Sequence, residues 1–106
     1  MRYEWDERKN LQNQRKHGGI SFELATFVFE DERCLIDFDR VDETGEHRWH
    51  ALGAVSVPPG IRAVLLVVHA YRIPEEDSDG EETIRIISAR RAGKNDLRRY
   101  QKETVD

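Results

Sequence analysis

The side chains best suited to chemistry lie at the ends of segments that alternate like β-strands. Arg48 precedes one apolar run, His69 and Tyr71 follow a second, and Arg85 and Arg90 flank a third. Arginine binds two phosphate oxygens through its planar fork, and an imidazole or a phenol can transfer a proton. This set suits phosphodiester cleavage in RNA, because the 2′-hydroxyl is the nucleophile and no metal is required. We predict that Arg48, Arg85 and Arg90 hold the scissile phosphate, while His69 and Tyr71 share proton transfer.

Strand alternation decides which of these side chains can meet, since successive residues point to opposite faces of a sheet. The sequence does not fix the register between strands. An antiparallel arrangement can nevertheless bring the polar strand ends together, and we expect one shallow, open site there. Within each strand, strict alternation predicts which side chains share a face. These pairs are His69 with Tyr71, Arg48 with His50, and Ser88 with Arg90. Arg85 is predicted on the other face of its strand from Ser88 and Arg90.

Positive charge is concentrated in the last part of the sequence. Residues 84–106 hold seven Lys or Arg against three Asp or Glu, whereas the whole chain holds 17 against 21 and has a formal net charge of −4. A local cationic patch on an acidic protein indicates a phosphate-bearing partner. We predict that Lys16, Arg91, Lys94 and Arg98 steer an RNA backbone. The negative net charge argues against a free nucleic-acid binder.

Several of these residues also have a purely structural interpretation. His69 follows aliphatic residues and fits a hydrogen-bonded strand histidine. Trp49 fits the hydrophobic core or a partner interface, because a large aromatic ring gains most from burial. Tyr71 can stack on a nucleobase instead of donating a proton. The cations around Arg98 fit a solvated helix face.

Length and composition indicate one domain over residues 1–106. Cys34 is the only cysteine, so no internal disulfide can form and a reducing compartment is expected. No apolar run approaches the roughly 20 residues that cross a bilayer, so we expect a cytoplasmic protein without a membrane partner. His47 and His50 face opposite sides of a predicted strand, and no metal site is predicted from them.

The predicted elements define an α+β fold. A helix over residues 7–17 is capped by Asp6 and ended by Gly18, and a second helix is capped by Ser21. Sequential strands favour an antiparallel meander, with a tight turn at residues 58–60 and an acidic loop over residues 75–82. The four strands are predicted at residues 33–38, 47–57, 62–72 and 83–90. The predicted architecture is therefore two N-terminal helices, one four-stranded antiparallel sheet and a C-terminal helix.

Motifs along most of the chain resemble those of the BrnT toxin family, and they occur in the same order. The motifs are Glu4-Trp5-Asp6-Glu7-x-Lys9-Asn10-x-x-Asn13-x-x-Lys16-His17-Gly18, Ile20-Ser21-Phe22-Glu23-x-Ala25, Arg48-Trp49-x-Ala51-Leu52-Gly53, Val67-Val68-His69-Ala70-Tyr71-Arg72, Ile84-Arg85-Ile86-Ile87-Ser88-Ala89-Arg90-Arg91-Ala92, and Tyr100.

This resemblance implies a fold similar to RelE-type ribonuclease toxins and the toxin role in a type II toxin–antitoxin pair. In that scheme the toxin cleaves RNA, a BrnA-like ribbon-helix-helix antitoxin neutralises it, and operator DNA is bound only through the complex. No cofactor is implied. The alternative is a catalytically inert interaction module that binds an antitoxin and acts as a co-repressor. Operator binding by the chain unaided is disfavoured, because no helix-turn-helix pattern is present and the acidic bulk repels DNA.

Overall fold

The computed structural model describes residues 1–73 and 80–104 and contains a five-stranded mixed sheet. The strand order across the sheet is β1-β5-β4-β3-β2. The elements in chain order are β1 (Arg2–Glu4), α1 (Glu7–Lys16), α2 (Phe22–Ala25), a 3-10 helix (Thr26–Glu30), β2 (Leu35–Val41), β3 (His47–Val57), β4 (Ile61–Arg72), β5 (Thr83–Arg91) and α3 (Lys94–Thr104).

The prediction of an α+β fold is confirmed, but the prediction of a four-stranded, purely antiparallel sheet is wrong. The strand β1 pairs in parallel with β5 at the sheet edge, with Tyr3 opposite Ile84. Three residues are too few for strand alternation to appear in the sequence. Strands β2 to β5 do form the predicted antiparallel series. The predicted acidic loop lies mostly outside the described residues.

The two faces of the sheet are covered unequally. The inner face carries Leu65, Val67 and His69 of β4, and it packs against α2 and the 3-10 helix through residues such as Phe22 and Val28. The outer face carries the alternate residues of β4. Among the described residues, α3 covers one part of it. There Tyr100 of α3 forms a smaller apolar cluster with Leu52 of β3 and Leu66 of β4. The rest of the outer face is therefore available for polar side chains.

The helix that was predicted to begin after Ser21 is shorter than expected. The Ser21 hydroxyl accepts a hydrogen bond from the backbone N–H of Leu24, as predicted for a cap, but α2 spans only four residues before the chain tightens into the 3-10 helix. That helix approaches β3 very closely. A Cβ atom built on Gly53 would lie 2.7 Å from the carbonyl oxygen of Val28. Glycine is required at this position because the backbones touch there.

The helix α1 is fixed to the sheet by a buried amide. Asp6 caps the helix, and the glycines at positions 18 and 19 end it with positive φ values of 62° and 87°. The Asn13 side chain donates to the carbonyl oxygen of Ala89 at 2.7 Å and accepts from the Ala89 N–H at 3.1 Å. Asn13 thus satisfies both backbone groups of a β5 residue that lies beyond the range paired with β1.

The last helix, α3, lies on the outer face, and polar contacts to the 3-10 helix region and to β2 are among those that hold it. The Tyr100 hydroxyl donates to the Asp31 carboxylate, which also accepts from the backbone N–H of Ala54 in β3. Arg99 forms an ion pair with Asp37 of β2. None of the helices in the described part of the chain combines the length and apolar character needed to cross a membrane.

Candidate functional site

The three predicted phosphate-binding arginines share the outer face, although strict alternation would have put Arg85 and Arg90 on opposite faces. In β5 the register shifts by one residue, so Ser88 pairs with Val68 while Ile86 pairs with His69. This bulge turns Arg85 to the same face as Arg90. Arg85 pairs with Ala70, and Arg90 pairs with Leu66, whose side chain belongs to the outer cluster.

Arg48 joins this group from β3. It precedes Trp49, which pairs with His69 of β4, and Ala70 follows His69. Arg48 and Arg85 therefore lie on strands two apart, at about 10 Å between backbones. Ala70 lies between them in β4 and is itself buried. Both guanidinium groups can reach a single phosphate placed over β4.

Several arginines of the outer face, and His50, lie close to carboxylates. The distances from nitrogen to oxygen are 3.2 Å for Arg48 with Asp42, 3.8 Å for Arg85 with Glu46, 3.6 Å for Arg90 with Asp96, 2.7 Å for Arg72 with Glu4, and 3.2 Å for His50 with Asp39. The partly exposed pairs of Arg85 and Arg90 contribute about 0–1 kcal/mol each. The two longest involve Arg85 and Arg90, so these guanidinium groups exchange a carboxylate for a phosphate at little cost.

The partner of Arg48 is the most firmly fixed of these carboxylates. A hydrogen bond from the Thr44 hydroxyl, with further bonds from the Thr44 and Glu46 N–H groups and from Arg48, lowers the pKa of Asp42 to about 2. Asp42 therefore stays ionised and holds the Arg48 side chain, which is mostly buried, in one orientation. Arg48 is the preorganised member of the group, whereas Arg85 and Arg90 have longer ion pairs and more exposed side chains.

His50 is a candidate site residue that was not selected from the sequence. It lies on the outer face two residues after Arg48, and its Nε2 atom is 3.2 Å from the Asp39 carboxylate. Asp39 occupies a bulge in β2, where the register shifts between Phe38 and Arg40. Alternation alone placed His50 beside Arg48 and could have identified it. No sequence signal indicated the bulge that brings Asp39 to the imidazole.

The predicted proton-transfer pair lies on the other side of the sheet, and this corrects the expected single site. His69 pairs with Trp49 and Ile86, and Tyr71 pairs with Ile84, so both point to the inner face. His69 is fully buried against Phe29, with ring centroids 4.9 Å apart. The side chains of His69 and Tyr71 therefore do not meet Arg85. The helical cover of the inner face also seals His69 from substrate.

His69 is also not the hydrogen-bonded strand histidine of the structural interpretation. Neither ring nitrogen makes a hydrogen bond of normal geometry with any described residue. Burial lowers the pKa of His69 to about 4, with the Val67 backbone opposing the shift and His50 adding to it. The ring is thus neutral near pH 7. Burial likewise raises the pKa of Tyr71, helped by Glu82 and Cys34, so its phenol stays protonated.

The four residues predicted to steer RNA are all exposed but do not form one patch with the arginines. Lys16 ends α1, Arg91 ends β5, and Lys94 and Arg98 lie on α3. Arg98 lines a shallow surface groove on α3 together with Arg99 and Lys102. Their role in binding remains a prediction.

His47 and His50 face opposite sides of β3, as predicted. His50 lies opposite Asp37 and His47 opposite Val41, with the β2 bulge between these pairs. Among the described residues, no group of three or more His, Cys, Asp or Glu side chains is placed to hold a metal ion.

Together these features define a small α+β protein whose outer sheet face presents arginines and one carboxylate-oriented imidazole, an arrangement suited to an anionic phosphodiester. The family model of the BrnT ribonuclease toxin of type II toxin–antitoxin systems matches residues 5–96. The chain therefore belongs to this family, as its motifs predicted. A type II toxin implies an antitoxin partner. A search of curated proteins found no match.

Proposed function

We propose that residues 1–106 form one toxin domain that cleaves RNA internally without a metal ion, using the outer face of the sheet. Arg48, Arg85 and Arg90 hold the scissile phosphate, and His50 transfers the proton. Asp39 positions the His50 ring. His69 and Tyr71 have no part in this chemistry, because both side chains lie on the inner face.

The reaction follows from the chemistry of RNA itself. His50 takes the proton of a 2′-hydroxyl, and the oxygen attacks the adjacent phosphorus. The bond to the 5′-oxygen breaks, and that oxygen takes a proton from solvent, leaving a 2′,3′-cyclic phosphate and a 5′-hydroxyl. Charge develops on the phosphoryl oxygens in the transition state. Arg48 and Arg85 approach these oxygens from two strands and stabilise them.

The observation that carries the proposal is the position of His50. It is the only histidine on the described outer face, it shares a strand with Arg48, and a carboxylate 3.2 Å away orients its ring. A histidine oriented by an acid beside two guanidinium groups is an arrangement that serves proton transfer at phosphorus.

The test uses the purified chain, freed of antitoxin, with a single-stranded RNA in excess chelator. We expect cleavage products ending in a cyclic phosphate. His50→Gln should lower the rate by on the order of 100-fold or more. His17→Gln, at the end of α1, is the matched control and should keep full activity. A folded wild-type chain that leaves RNA intact, or an equally active His50→Gln variant, contradicts the proposal.

In the cell, we propose that this activity is restrained by a ribbon-helix-helix antitoxin in the cytoplasm and that the complex binds operator DNA through the antitoxin. The outer face offers an acidic antitoxin segment the same guanidinium groups that RNA would use. Arg85 and Arg90 would then exchange their present carboxylate partners either for an RNA phosphate or for an acidic side chain of the antitoxin.

A second candidate function is a catalytically inert module that binds the antitoxin and acts as a co-repressor. The pairing of Arg48, Arg85 and Arg90 with carboxylates favours it, because paired charges attract a polyanion less strongly. Expression of the chain without antitoxin distinguishes the two functions. A ribonuclease arrests growth, and His50→Gln relieves the arrest, whereas an inert module leaves growth unchanged.

A further inference from the structure

A row of aromatic side chains crosses the inner face at the end that the helices leave uncovered. Phe38, Trp49 and Tyr71 come from β2, β3 and β4, with ring centroids 5.4 Å apart between the first two and 5.8 Å apart between the last two. The row continues to His69, where Phe29 covers it. Phe38 is 50% exposed, whereas His69 is fully buried. The row therefore passes from the core into solvent.

The uncovered end of this row lines a surface groove of about 610 Å³. Trp49 and Tyr71 form its aromatic wall, and Glu46 lies at its polar rim with the neighbouring turn residues Thr44 and Gly45. This volume lies in the range of small-molecule sites and accommodates a nucleobase. The edge-to-face ring contacts hold the wall in place before a ligand arrives.

The groove adjoins the proposed cleavage face through one residue. Glu46 lines the groove and also lies 3.8 Å from Arg85, whose guanidinium belongs to the outer face. Both sites occupy the same end of the sheet, where β3 begins and β4 ends. An RNA strand whose phosphate contacts Arg85 can therefore turn its neighbouring base around this end into the groove.

We infer that the groove walled by Trp49 and Tyr71 binds an unpaired nucleobase next to the scissile phosphate, and this inference rests on the proposed ribonuclease function. Aromatic side chains stack on any base, and the larger ring system of a purine gains more contact. Glu46 repels a phosphate but accepts hydrogen bonds from base N–H groups. The chemistry of the rim thus selects a base over the RNA backbone.

The test measures binding without cleavage. The probe is a short single-stranded RNA with a 2′-deoxy nucleotide at the cleavage position, carrying adenine at the neighbouring position. The comparison probe lacks only that base. A Trp5→Phe background leaves Trp49 as the sole tryptophan. We expect the adenine probe to quench its fluorescence and to bind on the order of 10-fold more tightly than the abasic probe.

Two variants at the groove and one outside it complete the test. Trp49→Leu should abolish the advantage of the adenine probe, and Trp49→Phe should retain part of it. Phe27→Leu, at an exposed ring of the 3-10 helix that does not line the groove, should change nothing. Circular dichroism checks that each variant is folded.

Equal affinity for both probes overturns the inference even if the chain cleaves RNA. Adenine-dependent binding that Trp49→Leu removes supports it even if the chain proves inactive, in which case the proposed function fails alone. If Trp49→Leu weakens binding of an antitoxin peptide and leaves the adenine advantage intact, the groove is a protein-docking site and the inference is wrong.

Discussion

The Nε2 atom of His50 lies 3.2 Å from the carboxylate of Asp39, which occupies a bulge in the neighbouring edge strand. This contact holds the imidazole in one orientation on the outer face. In the proposed reaction, a carboxylate in this position would stabilise the ring after it accepts a proton from the substrate.

The first prediction concerns this contact. Asp39→Asn should lower kcat by about 10-fold with little change in KM, because the amide keeps the shape but removes the charge that stabilises the protonated ring. Asp39→Glu should restore part of the rate. Steady-state kinetics on RNA measures both. Glu32→Gln, in an exposed loop, is the control, and a purely structural role for Asp39 would leave kcat and KM unaffected once the variant is folded.

The second prediction concerns the pH dependence of stability. The pKa of His69 is about 4 in the folded chain, whereas the ordinary value is 6.5. As the pH falls, His69 therefore becomes protonated in the unfolded chain before it does in the folded chain. The free energy of unfolding should therefore fall as the pH drops from about 6.5 to about 4, by about 2–3 kcal/mol from this residue. Below that window the loss is complete, and above it the contribution is fully present.

His69→Leu isolates this effect, since the other histidines are retained. Urea unfolding at pH 7 and pH 4.5 should show that the wild-type chain loses about 2–3 kcal/mol more than the variant. Equal losses in the two proteins would show that His69 is protonated in the folded state, contrary to its burial.

The third prediction concerns the amide that joins α1 to β5. Asn13→Ala removes its hydrogen bonds to Ala89 and Ile20 and leaves buried backbone groups without their side-chain partner. The free energy of unfolding should fall by about 2–4 kcal/mol. Gln12→Ala, at an exposed position of the same helix, should change it by less than about 0.5 kcal/mol. Chemical denaturation measures the free energy of unfolding of both variants. Similar values for the two would show that the Asn13 amide does not hold α1 to β5.

The fourth prediction concerns the contact between Gly53 and the 3-10 helix. Gly53→Ala should destabilise the chain by about 1–3 kcal/mol, because the new methyl group collides with the Val28 backbone. Gly93→Ala is the matched control, since the nearest atom to its added Cβ is 3.9 Å away. Thermal unfolding should show a lower Tm for the first variant alone. A comparable Tm for both would mean that the 3-10 helix shifts freely.

Much of the strand pattern was predictable because long strands with one buried face alternate clearly. The bounds of β3 were predicted correctly, and β4 differed by one residue. The caps Asp6 and Ser21 were also predicted, since their effect is local. By contrast, β1 depends on a partner some 80 residues away, and three residues carry no periodic signal of their own.

The site was harder to predict because it depends on two bulges. Alternation placed Arg85 and Arg90 on different faces of the sheet, but one extra residue in β5 brings them to the same face. The same kind of irregularity brings Asp39 to His50. Alternation did place His69 and Tyr71 on one face, but it could not tell which face the helices would cover. The prediction that they meet the arginines was wrong for that reason.

The parallel pairing of β1 with β5 has a consequence for synthesis. During translation β1 emerges before the other four described strands, whereas its neighbour β5 emerges after them. Asn13 must likewise wait for Ala89 to leave the ribosome. Nascent chains that stop before this point lack the strand that joins both early segments, together with Arg85 and Arg90. A growing polypeptide therefore cannot complete this sheet until β5 has been made.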